Sequence, residues 1–230
     1  MFLDREDAAR QLASALRDRG LERPVILAIP RGGVVVGATL ARELNTELDV
    51  ILSRKLRAPF QPELAVGAIS ETGEIYFDPR SDTADLTPEY LKQEQDHQLG
   101  EIRRRQALFR AVRPQVPLSG RCVVVTDDGI ATGSTIIAAL QTLRSQRPKR
   151  VVVAVPVAPA DRLEEVSQWC DEVVCLLRPQ FFFAIGQFYE DFRPVEDEEA
   201  QELLRLYGCP KKLAADKPWR QGNPHREANP

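Results

Sequence analysis

Val123-Val124-Val125-Thr126-Asp127-Asp128-Gly129-Ile130-Ala131-Thr132-Gly133-Ser134-Thr135 is the stretch on which the fold turns. Its run of β-branched apolar residues suits a strand covered on both faces of a parallel sheet. The run stops at two adjacent carboxylates, Asp127 and Asp128. A loop of small and hydroxyl-bearing residues follows, and apolar residues then recur at helical spacing over 136–143. Ala131, Thr132, Gly133, Ser134 and Thr135 thus offer successive backbone N–H groups, hydroxyl donors and a helix N-terminus, a combination that favours a phosphate.

The flanking chain repeats this theme. Residues 25–29, Val-Ile-Leu-Ala-Ile, form a second buried-type run, which empties into Pro30-Arg31-Gly32-Gly33 before a helical pattern over 34–44. Paired glycines after a strand remove side chains where the backbone must come close to something, and N–H groups opening a helix favour an anion. Residues 48–53 read as the next strand, with Arg54, Lys55 and Arg57 placed at its end. Further strands are expected at 151–157 and 172–177, and helices over 5–19, capped by Asp4, and 161–169. Five core strands with helices between most of them predict an α/β fold, a doubly wound, mainly parallel five-stranded sheet. Ligands of such sheets gather at the carboxyl ends of the strands, so Arg31, Arg54, Lys55 and the acidic pair are expected to face one crevice.

Residues 58–85 lose helical periodicity, and Glu71-Thr72-Gly73 reads as the turn of a hairpin between 65–70 and 74–77. Thr87-Pro88-Glu89 caps and starts a long helix reaching about residue 109, with a sparse apolar stripe and an otherwise charged surface. Residues 178–192 concentrate the aromatics, and a closing helix is expected over 196–207. The domain is therefore expected to span 1–208, with 178–208 as a small C-terminal hood. The tail, 209–230, is rich in Pro, Lys, Arg and Asn, lacks apolar period and is expected to be a flexible extension.

Composition narrows the function classes. Lys plus Arg is 31 against 34 for Asp plus Glu, and a net charge of -3 supplies no long-range attraction for nucleic acid or an anionic membrane. No apolar run approaches the roughly 20 residues that span a bilayer, and the first residues are charged where a secretory signal would be apolar. A cytoplasmic protein is expected. The four cysteines form no C-x-x-C pair and are expected to be reduced and structural. With two histidines and no G-x-S-x-G elbow, a serine hydrolase has little to stand on.

The stretch from Val123 to Thr135 resembles the phosphoribosyl-diphosphate (PRPP) binding signature of type I phosphoribosyltransferases. The resemblance implies magnesium-dependent transfer of a phosphoribosyl group between PRPP and a nitrogen heterocycle, with release of diphosphate. Asp127 and Asp128, read as ionised at neutral pH, then become the catalytic pair that holds the ribose hydroxyls. Residues 131–135 take the 5-phosphate, and Arg31, Gly32, Gly33, Arg54 and Lys55 take the diphosphate. It further implies that Phe183, three residues before Gly186, stacks on the base, and that Glu190 lies on the Mg2+ side. The loop after the first strand is implied to carry a non-proline cis peptide, for which Arg31–Gly32 is the expected bond. Related enzymes also close a mobile loop in the region of the hairpin. Enzymes for 6-oxopurines carry an aspartate where this chain has Ala131, which leaves the acceptor base open. A non-catalytic PRPP sensor is the alternative, and a homodimer is compatible with the resemblance.

Overall fold

The computed structural model describes residues 1–59, 61–81 and 86–209. Strands β2 (Glu47–Val50), β1 (Val25–Ala28), β6 (Cys122–Thr126), β7 (Arg150–Val157) and β8 (Glu172–Leu177) lie side by side in that order, every pair parallel. Period-2 alternation sends their side chains into two separate cores. Ile26, Ala28, Val124, Val152 and Ala154 meet the face covered by helices α1 (Arg5–Leu16) and α2 (Gly32–Leu44). Val25, Leu27, Val123, Val125 and Val153 meet the opposite face, under α4 (Ser134–Gln146) and α5 (Ala160–Ser167). Both faces being covered explains why these strands read as continuous apolar runs: each buried valine or leucine adds about 1.5–3 kcal/mol whichever way it points. The expected doubly wound sheet is the one observed.

The second strand departs from its expected bounds. It stops at Val50, because the Leu52 N–H is taken by the Glu71 carboxylate (3.2 Å) and the Leu52 carbonyl by the Glu71 N–H (3.0 Å), which turns the chain out of the sheet. Ser53–Ala58 is a strand in its own right, β3, antiparallel to β4 (Gln61–Ser70), which pairs in turn with β5 (Ile75–Phe77). Arg54, Lys55 and Arg57 are therefore spread along a strand of a second, three-stranded sheet rather than gathered at the end of the second core strand. The turn expected at Glu71-Thr72-Gly73 joins β4 to β5, with Gly73 at φ +87°. Loop closure over the site was expected across 58–85, of which residues 60 and 82–85 lie outside the described residues, as do 210–230 of the tail.

Helix α3 (Pro88–Val112) begins at Thr87, whose side chain accepts the Tyr90 N–H, and it packs on β3 and on α6 (Asp197–Tyr207). Helix α6 in turn lies on α2 at the β2 edge. Residues 178–193, including a 3-10 helix at Ile185–Phe188, run over the carboxyl ends of the central strands. No helix among the described residues is long and apolar enough to cross a membrane.

Candidate active site

The strand order reverses between β1 and β6, and the loops leaving these two neighbours part to opposite faces of the sheet. That switch point is where open α/β sheets bind ligands, and the two motifs of the sequence meet there. The β1 loop runs directly into α2, whose first turn already contains Gly32 and Gly33. A side chain on Gly32 would overlap the Asp128 carboxylate, and one on Gly33 would stand 2.9 Å from the Asp127 Cα. What the paired glycines let the backbone approach is thus the acidic pair itself. The cis peptide lies at Pro30–Arg31, one bond earlier than expected. With Ile29 still bonded to the Thr126 carbonyl (3.0 Å) and α2 starting at Gly32, the irregular backbone is confined to Pro30 and Arg31.

Asp127 is partly exposed and Asp128 is buried. The Asp128 N–H donates to Asp127 Oδ1 (2.8 Å), and Asp128 Oδ2 accepts from Arg5 Nε (2.8 Å). Burial pushes both carboxyls above the ordinary carboxylate range. For Asp127 the Asp128 charge adds to that rise, whereas for Asp128 the guanidinium of Arg5 opposes it. The two carboxyls thus sit in unlike surroundings, with the Arg5 counter-charge held directly against Asp128. A positive charge brought by a ligand would favour ionisation again.

Beyond the pair, Gly133 caps α4 at φ +86°, and the Ile137 N–H closes the first turn on its carbonyl. Ser134 Oγ is buried without a hydrogen-bond partner. Ser53 Oγ donates to the Thr135 carbonyl (2.8 Å), tying β3 to the first turn of α4. A cavity of 90 Å³ opens here, lined by Lys55, Asp127 and residues 129–133 together with Thr135, Ile136 and Ile185. A much larger concavity, 1160 Å³, lies at the opposite end of the sheet around Arg23, Glu47, Arg121 and Lys149. Helices α1, α2 and α4 all end toward it, and helix C-termini repel anions; its cations Arg121 and Lys149 are moreover paired with Glu47 and Glu22. The smaller cavity is the one onto which the start of α4 opens.

The structure thus brings Lys55, Asp127, Ala131, Thr132, Gly133 and Thr135 to one cavity, with Gly32, Gly33, Asp128 and Ser134 immediately behind it. The remaining expected site residues stand apart. Arg54 turns away to Gln98 of α3 (2.6 Å), and burial lowers its pKa. Arg31 reaches Glu196 (2.9 Å) just before α6. Phe183 is 89 % exposed on a loop held by Gln187, whose Oε1 accepts from the Phe183 N–H (3.0 Å) and the Ala184 N–H (3.2 Å). Glu190 is exposed, and no group of three or more metal-binding side chains occurs among the described residues.

Arg5, Tyr189 and Phe192 were not foreseen. The Tyr189 hydroxyl donates to the Asp128 carbonyl (2.6 Å), and the Arg5 guanidinium lies 3.8 Å from the centre of the Phe192 ring. One signal did exist in the sequence: a cation in the first turn of a helix opposes the helix dipole, so Arg5 needed a partner elsewhere.

A family model described as the phosphoribosyl transferase domain matches residues 2–193. The chain belongs to this family. The matched span covers every strand of both sheets and the segment that carries Tyr189 and Phe192. Two Mycobacterium tuberculosis relatives, each named "Putative phosphoribosyl transferase", are 43% identical over 205 residues, 89% of this chain. The chain spans 46% of their length, about half. The crystal structure of TT1426 from Thermus thermophilus is 45% identical and superposes with a TM-score of 0.75, covering 90% of this chain and 98% of that one. The likeness to TT1426 thus extends over nine tenths of this chain and nearly the whole of that one.

Proposed function

We propose that this phosphoribosyl transferase domain transfers the phosphoribosyl group between PRPP and a nitrogen heterocycle, a purine- or pyrimidine-like base. The observation that carries this reading is the meeting of Asp127, Lys55 and the start of α4 around one cavity at the switch point of the sheet. In the forward direction the bond from ribose C1 to diphosphate breaks, its electron pair leaving with the diphosphate. The lone pair of the base nitrogen forms the new bond to C1, and the nitrogen's proton passes to solvent. The α4 N-terminus and the hydroxyls of Thr132, Ser134 and Thr135 hold the 5-phosphate, an anion at a helix N-terminus. Ser134 Oγ, buried and unpartnered, suits such a polar ligand.

Asp127 accepts hydrogen bonds from the ribose hydroxyls and places negative charge beside the cationic sugar that develops at C1. Lys55, Arg31 and the backbone at Gly32 and Gly33 receive the diphosphate. For Arg31 this means exchanging the exposed Glu196 carboxylate for the ligand. Phe183, exposed on its loop, stacks on the base. Mg2+ fits a site with few protein ligands, because it is commonly held by substrate phosphates and one or two carboxylates. Glu190 is the side chain assigned to it, beside substrate phosphates and water, and when bound it would neutralise diphosphate charge.

A thermal-shift titration with PRPP and Mg2+ tests the reading. Ligand at 100 times its dissociation constant adds about 2.7 kcal/mol to the native state, so wild-type protein gains several degrees. The Asp127→Asn/Asp128→Asn double variant gains none, and wild type alone releases diphosphate when a panel of purines, pyrimidines and pyridines is added. No PRPP shift in wild type, or full turnover in the double variant, overturns it.

A further inference from the structure

We infer that Arg5 is a positioning residue for the sugar site: it immobilises Asp128 so that Asp127 alone is presented to the ribose hydroxyls. The inference rests on the proposed PRPP site and divides its acidic pair into a contacting member and a holding member.

Arg5 is carried to Asp128 by an N-terminal strap. The Phe2 N–H donates to the Phe188 carbonyl (2.8 Å), and the Glu190 and Asp191 N–H groups return bonds to the carbonyls of Phe2 and Leu3 (both 2.9 Å). The Phe2 and Tyr189 rings pack at 5.3 Å. Asp4 then caps α1 by accepting the Asp7 N–H (2.7 Å), which fixes where the next side chain leaves the helix.

Three contacts lock the Arg5 guanidinium: Nε on Asp128 Oδ2, Nη1 on the Arg193 carbonyl (2.9 Å), and its face over the Phe192 ring. Tyr189 holds the same aspartate from its backbone side. Asp128 is thereby fixed at both ends, and its N–H in turn fixes Oδ1 of Asp127. The chain of constraint runs from Arg5 through Asp128 to Asp127. Space reinforces it, because the absence of a side chain at Gly32 is what leaves room for the Arg5–Asp128 pair. Of the two carboxylates only Asp127 lines the cavity. The strap also joins the segment that carries Phe183 to the carboxylate turn, so sugar and base subsites share one support.

A planar fork that bonds an acid and a carbonyl at once while stacking on a ring is not reproduced by an ammonium. Without Arg5, the buried Asp128 loses its counter-charge and the turn loses its anchor.

The test compares binding of ribose 5-phosphate with 2-deoxyribose 5-phosphate, and inorganic phosphate alone as a control for the phosphate subsite. Wild type is expected to prefer the ribose compound at least tenfold. Arg5→Met is expected to reduce that preference to about twofold or less while phosphate affinity stays within twofold of wild type. Arg5→Lys, which retains charge and stem and guards against a variant that does not fold, is expected to keep less than half of the preference. In a double-mutant cycle, Arg5→Met and Asp128→Asn are expected not to add, since one acts through the other. Wild-type discrimination in both Arg5 variants, or full additivity with Asp128→Asn, overturns the inference alone. Failure of wild type to bind PRPP overturns the proposed function and this inference with it.

Discussion

At the scale of single residues, Asp127 sits where function and stability oppose each other. Burial and the neighbouring Asp128 raise its pKa in the folded protein above the ordinary 3.8. Folding therefore favours the neutral form, and the sign follows: stability declines as pH rises from about 3.8 through the folded value, and the deficit is complete above it. Asn keeps the oxygen that accepts the Asp128 N–H and carries no charge. Asp127→Asn is expected to raise the melting temperature at pH 7 by a few degrees, at about 2–4 °C per kcal/mol for a domain of this size, while removing PRPP binding. Calorimetry at pH 4 and pH 7 checks both parts, with the gain smaller at pH 4. A lower melting temperature at pH 7 would refute the assignment of strain to this carboxylate. The acidic pair itself was legible because two carboxylates cannot end a buried strand without a reason. Arg5 was not, because its partner lies 123 positions away in the chain and only the fold brings them together.

At the scale of elements, the long charged helix α3, which had no evident task in the sequence, is a brace for β3. Glu94 is buried and accepts from the Arg57 side chain (2.8 and 2.9 Å), the Arg57 N–H (3.0 Å) and Gln98 (2.8 Å). Gln98 also accepts from Arg54, so two cations of β3 are anchored on α3 and only Lys55 is left toward the cavity. Two register shifts against β4 fall on either side of Arg57. β3 was illegible because three cations in four residues lack the apolar pattern of a strand and were placed at the end of 48–53, whereas the helix was announced by Thr87 and Pro88. Burial alone would raise the Glu94 carboxyl, but the hydrogen bonds from Arg57 and Gln98 outweigh it and hold the pKa below the ordinary 4.5. The pair's stability is therefore fully present above about pH 4.5 and is lost as pH falls through the lower folded value. Replacing the charged acceptor in Glu94→Gln is expected to cost about 1.5–3 kcal/mol at pH 7. Urea melts should show this difference shrinking toward pH 3, and a constant difference would assign the loss to packing instead.

At the scale of the whole molecule, the five parallel strands are legible because a strand buried on both faces must be apolar throughout, and the crevice follows from their order. How the second sheet is attached is written only in three dimensions. Its last strand is fastened to α5 by a polar clasp: the Tyr76 hydroxyl and the Arg80 guanidinium both bond Glu165, Arg80 also reaches Asp161 (3.3 Å), and Arg162 reaches the buried Asp78 (3.6 Å). Tyr76 packs edge-on to Trp169, whose ring lies under Arg144. The β3-β4-β5 sheet packs on α3 and α4 and shares an apolar core with the main sheet through Leu56, Val66 and Ile69, but it alone is also held by this clasp, so loss of the clasp is expected to lower its local stability first. Glu165 joins two of the clasp's partners, and Glu165→Ala releases both. Hydrogen exchange in β4 and β5 is then expected to accelerate at least tenfold, with β1, β6 and β7 unchanged. Because Arg80 is substantially exposed, its share of the clasp is screened by salt. The difference between wild type and variant should therefore narrow at 1 M salt without vanishing, since the Tyr76 hydrogen bond and its contact with Trp169 are less sensitive to ions. Uniform acceleration across both sheets would show instead that they unfold as one unit, with α5 contributing to global rather than local stability.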